Sequence, residues 1–178
     1  MQNIIHITPI TKAEYHIYIE VGTKAYNQHY LHLWPNKNSS PYIESSFTSK
    51  VLLEEEINAN TILFLIYKNK QAIGVLKITL NSSLAPYSGQ EALLVDKIYL
   101  LNEYSGKGIG KKILQFVMLR AKELKKKVVW LDTMQKGKAL DFYLKNGFEI
   151  HSEIEIPFSN VIPEEKPMYI LFKKVDSI

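Results

Sequence analysis

The sequence predicts an α/β domain: a mixed, twisted sheet of about six or seven strands flanked by helices. Three observations carry this. An early pair of strand-length apolar runs is joined by a short polar turn, the mark of an antiparallel hairpin. A later strand runs through a glycine-rich turn straight into a long amphipathic helix, the crossover that parallel pairing requires. Further strand-length runs follow that helix, separated by one shorter helical segment. The chain of 178 residues suits one domain spanning 1–178. A chain of that size buries roughly 70% of its unfolded surface, enough for a sizeable core.

Taken in order, Ile4 to Thr8 is a short first strand. Helical patterns follow, broken near Trp34-Pro35-Asn36 and again at Asn38 to Pro41, and Ile43 to Ile57 reads as one helix carrying the acidic run Glu54-Glu55-Glu56. Ile62 to Tyr67 is a strand, Lys68 to Gln71 a polar turn, and Ala72 to Leu80 the returning strand. Asn81 to Gln90 is a loop, and Ala92 to Leu100 a third strand of similar length. In the next helix Ile109, Ile113, Val117, Ala121 and Leu124 recur at three and four residues, one face of a 3.6-residue period. Lys125-Lys126-Lys127 closes it, as cations favour a helix C-terminus. Val128 to Asp132 is a short strand, and Ala139 to Asn146 a short helix ended by Gly147, the residue that best adopts a left-handed cap. Phe148 to Ile156 and Met168 to Lys174 are the last strands, flanking a loop with Pro157, Pro163 and Pro167. There is no internal repeat and no linker rich in Pro, Gly or Ser.

Composition narrows the chemistry. No cysteine is present, which removes disulfides, thiolate catalysis and cysteine metal sites. No apolar run approaches the ~20 residues of a membrane span, and the start has neither a basic segment nor a long apolar one, so no signal peptide is visible and a cytoplasmic protein is expected. His29 and His32 stand three apart, but no third ligand is signposted and no metal is expected. Residues 97–145 hold 12 Lys and Arg against 4 Asp and Glu, so the middle of the chain is a concentrated basic region. It fits a lysine-rich solvated face, or a site for a polyanion: nucleic acid or a phosphate-bearing cofactor. Nucleic acid calls for aromatic rings interleaved with the lysines. Residues 105–127 contain only Phe116, which belongs to the helix, so no nucleic-acid partner is expected.

The glycine turn decides between the rest. Gly106, Gly108 and Gly110 lie between a strand and a helix N-terminus, where unpaired N–H groups and the positive helix end face a ligand. A Walker A loop fails, because Gly110-Lys111 is followed by Lys112 and not by Ser or Thr. A dinucleotide fingerprint fails too, since its third glycine falls on Lys111 or Ile113.

The segment Ile98 to Lys111 instead resembles the acyl-CoA pyrophosphate motif of the GNAT superfamily of N-acetyltransferases: Gln or Arg, two free positions, Gly, one free position, then Gly or Ala, after a strand and before a helix. Here it reads Ser105-Gly106-Lys107-Gly108-Ile109-Gly110. Trp130-Leu131-Asp132 followed by Ala139 to Phe148 is similar to the family's tyrosine-bearing helix and next strand, and Ile73-Gly74 also fits. The resemblance runs from about Thr61 to Phe148, and the layout is loosely similar to bacterial polyamine N-acetyltransferases of the PaiA type. Two departures stand out. Ser105 replaces the Gln or Arg, leaving Lys107 or Lys111 to compensate at the pyrophosphate. The stretch Thr133 to Lys138 lacks the family's asparagine for the pantetheine arm; Lys136 and Lys138 stand there.

The resemblance implies a GNAT-like fold, acetyl-CoA as co-substrate, and direct acyl transfer to a small-molecule amine, polyamine-like by the layout, in a monomer or homodimer with no membrane partner. Acetyl-CoA would lie where Val95–Leu100 and Val128–Leu131 splay apart. Main-chain groups of Ile98 and Leu100, with Tyr99 between them, would pair with pantetheine, and Ser105 to Lys111 would hold the pyrophosphate. Tyr143 would hydrogen-bond the sulfur and protonate it as it leaves; otherwise it is a core aromatic. Asp96, read as sharing a strand face with Leu94, Ile98 and Leu100, matches the position where polyamine acetyltransferases carry a glutamate. It is either the general base, acting through water, or a carboxylate at a strand bulge paired with a lysine such as Lys97. An N–H at that bulge, near Ile98, would face the developing oxyanion. His29, Tyr30 and Trp34 line the acceptor side or pack the core.

Overall fold

The computed structural model describes residues 4–176; the expected span 1–178 extends past both ends of it. Seven strands form one sheet: β1 (Ile5–Pro9), β2 (Thr61–Lys68), β3 (Gln71–Thr79), β4 (Ala92–Leu100), β5 (Val128–Met134), β6 (Glu149–Glu155) and β7 (Pro167–Lys174), in the order β1-β2-β3-β4-β5-β7-β6. β4 and β5 are parallel and every other neighbouring pair is antiparallel, so the sheet is mixed as expected. Five α-helices accompany it: α1 (Tyr15–Tyr30), α2 (Ser40–Ser46), α3 (Ser49–Ile57), α4 (Ile109–Glu123) and α5 (Lys138–Lys145).

α4 is the crossover between the two parallel strands. Ile109, Ile113, Leu114, Val117 and Ala121 are its buried residues. They pack with Leu76, Ile78, Leu93, Val129 and Leu131 into a core on one face of the sheet. Each fully buried aliphatic side chain there contributes roughly 1.5–3 kcal/mol. The other face carries a second, more aromatic core, in which Tyr18 and Tyr26 of α1 pack with Leu63, Leu65 and Val75.

The expected helix Ile43 to Ile57 is two helices. Phe47 leaves the helical region (φ −131°) to bury its ring, and Thr48 caps α3 by accepting from the Val51 N–H at 3.2 Å. Gly22 admits that ring, because a Cβ there would come within 2.2 Å of it. The lysine run also differs from expectation. Lys126 is buried and ties down the preceding loop, donating to Asn81 Oδ1 (2.7 Å) and the Gln90 carbonyl (2.9 Å), while Lys127 pairs with Glu91. Gly147 takes the expected left-handed conformation (φ +82°) after α5.

Candidate functional site

The opening in the sheet comes from backbone register. β4 and β5 pair at three positions only, Ala92 with Val128, Leu93 with Val129 and Leu94 with Trp130. Beyond them the strands separate, so the splay begins at Val95 and Leu131; Val128 to Trp130, expected inside it, are paired. Leu101 donates its N–H to the Ile73 carbonyl on β3. By the period-2 alternation of a strand, the main-chain groups of Ile98 and Leu100 therefore turn toward the open side. The Leu100 carbonyl is already met by His29 Nε2 at 2.9 Å, which leaves its second lone pair. Tyr99 differs from expectation: its main chain faces β3, and its side chain packs in the aromatic core with its hydroxyl 2.6 Å from that of Tyr42.

The glycine turn leaves room for the close approach of a ligand. Gly106 (φ +71°) and Gly108 (φ +76°) hold left-handed conformations that glycine adopts without strain, and a Cβ on either would point into open space. Gly108 is the N-cap of α4, and among the described residues no protein acceptor takes the N–H groups of Gly106, Lys107 or Gly108. Lys107 and Lys111 are exposed beside them, and so is Ser105. Gly110 serves packing instead. A Cβ there would sit 2.9 Å from the Phe142 ring, so its absence lets α4 and α5 touch. Ile109 is buried in the core under the turn. These features fit the diphosphate of a CoA. Lys136, expected where the family's asparagine meets the pantetheine arm, donates its ammonium to the Glu164 carbonyl (2.7 Å) and Glu165 (3.1 Å). Lys138 is exposed at the first position of α5.

A cavity of about 250 Å³ passes through the splay. Val95, Ile98, Leu131 and Tyr143 line it from the α4–α5 side of the sheet, and Tyr26, Trp34, Tyr42 and Phe158 from the α1 side. Tyr143 packs edge-on against Phe142 and Phe148, at centroid distances of 5.2 and 5.7 Å. Its hydroxyl makes no hydrogen bond to protein among the described residues. Burial, with smaller contributions from Tyr30 and the charge of Asp132, pushes the phenol far above its ordinary pKa.

Asp96 occupies a bulge. Lys97 pairs with Lys77 and Val95 with Ile78, which leaves Asp96 as the extra residue. The bulge breaks the alternation, so Asp96 does not share a face with Ile98 and Leu100 as expected. It joins Lys77 and Thr79 of β3: Thr79 donates to it at 2.6 Å, and the Lys77 ammonium lies 3.7 Å away. Lys77 in turn holds Glu55 at 2.6 Å, and the Lys97 ammonium is 4.0 Å from Glu55. The bulge ion pair is thus present with Lys77 as the partner. Burial, then the charge of Lys77, lowers Lys97 to a pKa of about 8. The acidic run divides accordingly. Glu54 is exposed beside Lys50, Glu55 points into this ion cluster, and Glu56 accepts from Tyr15.

Asp132 is the functional candidate that sequence reading passed over. It lies on β5 where the splay opens and lines the same cavity as Asp96 and Tyr143. Its side chain is exposed into the cavity mouth, yet the protein crowded around it, then the charge of Asp96, raises its pKa to about 6. The available signal was an acid at the end of an otherwise apolar strand. Among the described residues no group of three or more His, Cys, Asp or Glu could hold a metal, and no helix is long and apolar enough to cross a membrane.

A parallel pair that parts after three rungs, with a glycine-lined helix start on one side and a phenol and carboxylates in the gap, is an arrangement suited to CoA-dependent acyl transfer. Residues 59–150 match the family described as Acetyltransferase (GNAT) domain. The chain belongs to this family and is an acetyl-CoA-dependent N-acetyltransferase. An uncharacterised N-acetyltransferase of Lactobacillus delbrueckii subsp. lactis is 23% identical over 66% of this chain and 71% of its own. Among solved structures, the PaiA N-acetyltransferase of Thermoplasma acidophilum in complex with coenzyme A superposes with a TM-score of 0.75 at 19% identity, covering 96% of this chain and 99% of that one. A spermidine N-acetyltransferase chimera from Vibrio cholerae gives 0.71 at 11% identity, covering 96% and 95%.

Proposed function

We propose that the protein acetylates a primary amine of a small molecule by direct attack within a ternary complex. The observation that carries this reading is the cavity that joins the two faces of the sheet. It brings the open main chain of β4, the unpartnered Tyr143 hydroxyl and two carboxylates to one point.

Acetyl-CoA supplies an acyl group activated as a thioester. The N–H groups at residues 106–108 and the α4 N-terminus hold its diphosphate, with Lys107 and Lys111 adding charge where Ser105 adds none. Ile98 and Leu100 align the pantetheine arm as a strand would. An alkylammonium has a pKa near 10.4, so freeing its amine at neutral pH costs roughly 4–5 kcal/mol. Asp132 accepts that proton, being near enough to neutrality to take it and return it to solvent. Asp96, first expected in that role, is held by Thr79 and Lys77; it stays in place as an anion whose field raises Asp132. Two carboxylates in unlike surroundings divide the work, one moving a proton and one setting the field. The Ile98 N–H, turned into the splay, faces the carbonyl oxygen as charge builds there. Tyr143, kept protonated by burial, donates to the departing sulfur. Overall the amine nitrogen gains a C–N bond, the C–S bond breaks, one proton ends on sulfur and one reaches solvent.

The test is free-thiol release from acetyl-CoA across a panel of polyamines, monoamines, amino acids and peptides. The proposal expects amine-dependent release with an acetylated product. Thermal stabilisation by acetyl-CoA with no amine-dependent release would leave a non-catalytic acyl-CoA-binding module.

A further inference from the structure

We propose that the acceptor is a compact monoamine with an apolar or aromatic body, and that polyamines and amino acids are poor acceptors. The inference rests on the acetyl transfer proposed above, at the same cavity.

Charge in that cavity is confined to one end. Among the described lining residues, Asp96 and Asp132 are the acidic ones, and both stand where β4 and β5 part. The opposite wall comes from α1, the turn at 31–34, α2 and the loop at 156–158, and it holds no acid. Its rings interlock: Tyr26 stacks on Tyr42 at 4.0 Å, and Phe158 meets Trp34 edge-on at 5.5 Å and Tyr42 at 6.0 Å. Most of its polar atoms are engaged with one another, the Tyr30 hydroxyl being the one that makes no hydrogen bond to protein among the described residues. Trp34 Nε1 donates to the Tyr26 hydroxyl at 2.9 Å, and the Tyr42 and Tyr99 hydroxyls share a 2.6 Å hydrogen bond. Met134 and Met168 complete a surface of ring and thioether.

One ammonium fits such a cavity with its head at the two carboxylates and its body against the rings. A second ammonium, as in a polyamine, would be desolvated on the far wall with no counter-charge. Ring faces can hold a cation, but Tyr26 and Tyr42 spend one face each on their mutual stack. An amino acid would set its own carboxylate near Asp96 and Asp132. The volume of about 250 Å³ also lies below the roughly 300–1,000 Å³ of sites for drug-sized ligands.

The experiment compares kcat/KM for phenethylamine and spermidine, read as free thiol at mildly alkaline pH, with acetyl-CoA thermal shift as the check on folding and cofactor binding. Phenethylamine should exceed spermidine by at least about tenfold, the scale of one mismatched pocket contact. Equal or better turnover of spermidine overturns the inference and leaves acetyl transfer standing. Turnover of neither amine, with the thermal shift intact, overturns the inference, and acetyl transfer itself falls only if the wider panel of amines, amino acids and peptides is silent as well. A second arm uses Phe158→Glu, at a half-buried loop position, with the acetyl-CoA thermal shift again checking that the variant folds and Phe158→Gln as the uncharged control. Phe158→Glu should move the ratio toward spermidine by about tenfold; an unchanged ratio means the acceptor does not meet this wall, and the inference falls.

Discussion

In the proposed mechanism Tyr143, Asp132 and Asp96 each act through surroundings supplied by other parts of the chain. Tyr143→Phe removes a hydroxyl that bonds nothing in the protein, so packing changes little. If that hydroxyl protonates the thiolate, kcat should fall about 10²-fold with acetyl-CoA affinity nearly unchanged. An unaltered kcat, with acyl transfer limiting, would reduce the tyrosine to a packing role. The carboxylates separate by pH. With Asp132 near 6, kcat/KM of the parent should climb through that value as the base loses its proton. Asp132→Asn should abolish that limb, and its deficit should shrink at high pH, where the acceptor arrives deprotonated. Asp96→Asn should keep the limb but move it to lower pH, since the nearby anion is gone. Stability gives an independent reading. A carboxyl raised in the folded state stabilises fully below its unfolded value, and that contribution is lost as pH rises through about 6. Asp132→Asn should therefore raise Tm relative to the parent above pH ~6, with no gain near pH ~4. The place of Tyr143 at the cavity was legible because its motif is local in sequence. Asp132 was not, because its importance comes from the parting of two strands and from an anion on the neighbouring one. The bulge that turns Asp96 toward Lys77 is a matter of register, which side-chain alternation alone does not reveal.

The helix-bearing elements were legible where a residue's role is set by its own neighbours in sequence. The buried face of α4 and the left-handed Gly147 follow from spacing and from glycine's conformational freedom. The break at Phe47 does not, because its cause is Gly22, a glycine far back on α1. Nor does the burial of Lys126, whose partners belong to the loop before β4. Two substitutions probe the turn and helix around the cofactor loop. Gly108→Val forces a β-branched residue to a positive φ and places its side chain where the diphosphate would approach. Acetyl-CoA affinity should drop at least ~10-fold, about 1.4 kcal/mol; wild-type binding would refute the assignment of the loop. Gly110→Ala acts differently. The new methyl must displace Phe142, at the second residue of α4, where the gain in helix propensity is less than the roughly 1 kcal/mol of a helix interior. Tm should fall slightly, and because the push reaches Tyr143 through its neighbour on α5, kcat should fall several-fold.

The whole molecule divides its charge in a way that composition suggested only in outline. Some lysines of the basic middle are structural, with Lys97 and Lys126 buried and Lys127 and Lys136 paired, whereas Lys107, Lys111 and Lys112 are exposed around the start of α4. Acetyl-CoA should accordingly raise Tm by mass action. Short DNA or RNA should bind weakly and lose affinity steeply with salt. Tight nucleic-acid binding near physiological salt, without an acetyl-CoA shift, would make the exposed lysines a nucleic-acid surface instead.

The three-rung pairing of β4 with β5 also bears on how the protein holds together. That seam joins a block of four strands to a block of three, so it is where the sheet is most easily prised apart. A ligand bonded to Ile98 and Leu100 that also filled the gap toward β5 would act as a temporary splice across it. Amide exchange at those two residues should be fast in the free protein and slowed by bound CoA, and the protection should spread into β5, which CoA would tie to its neighbour. The cofactor would then be a structural member of the sheet as well as a reactant, and each release of product would loosen the joint between the two blocks.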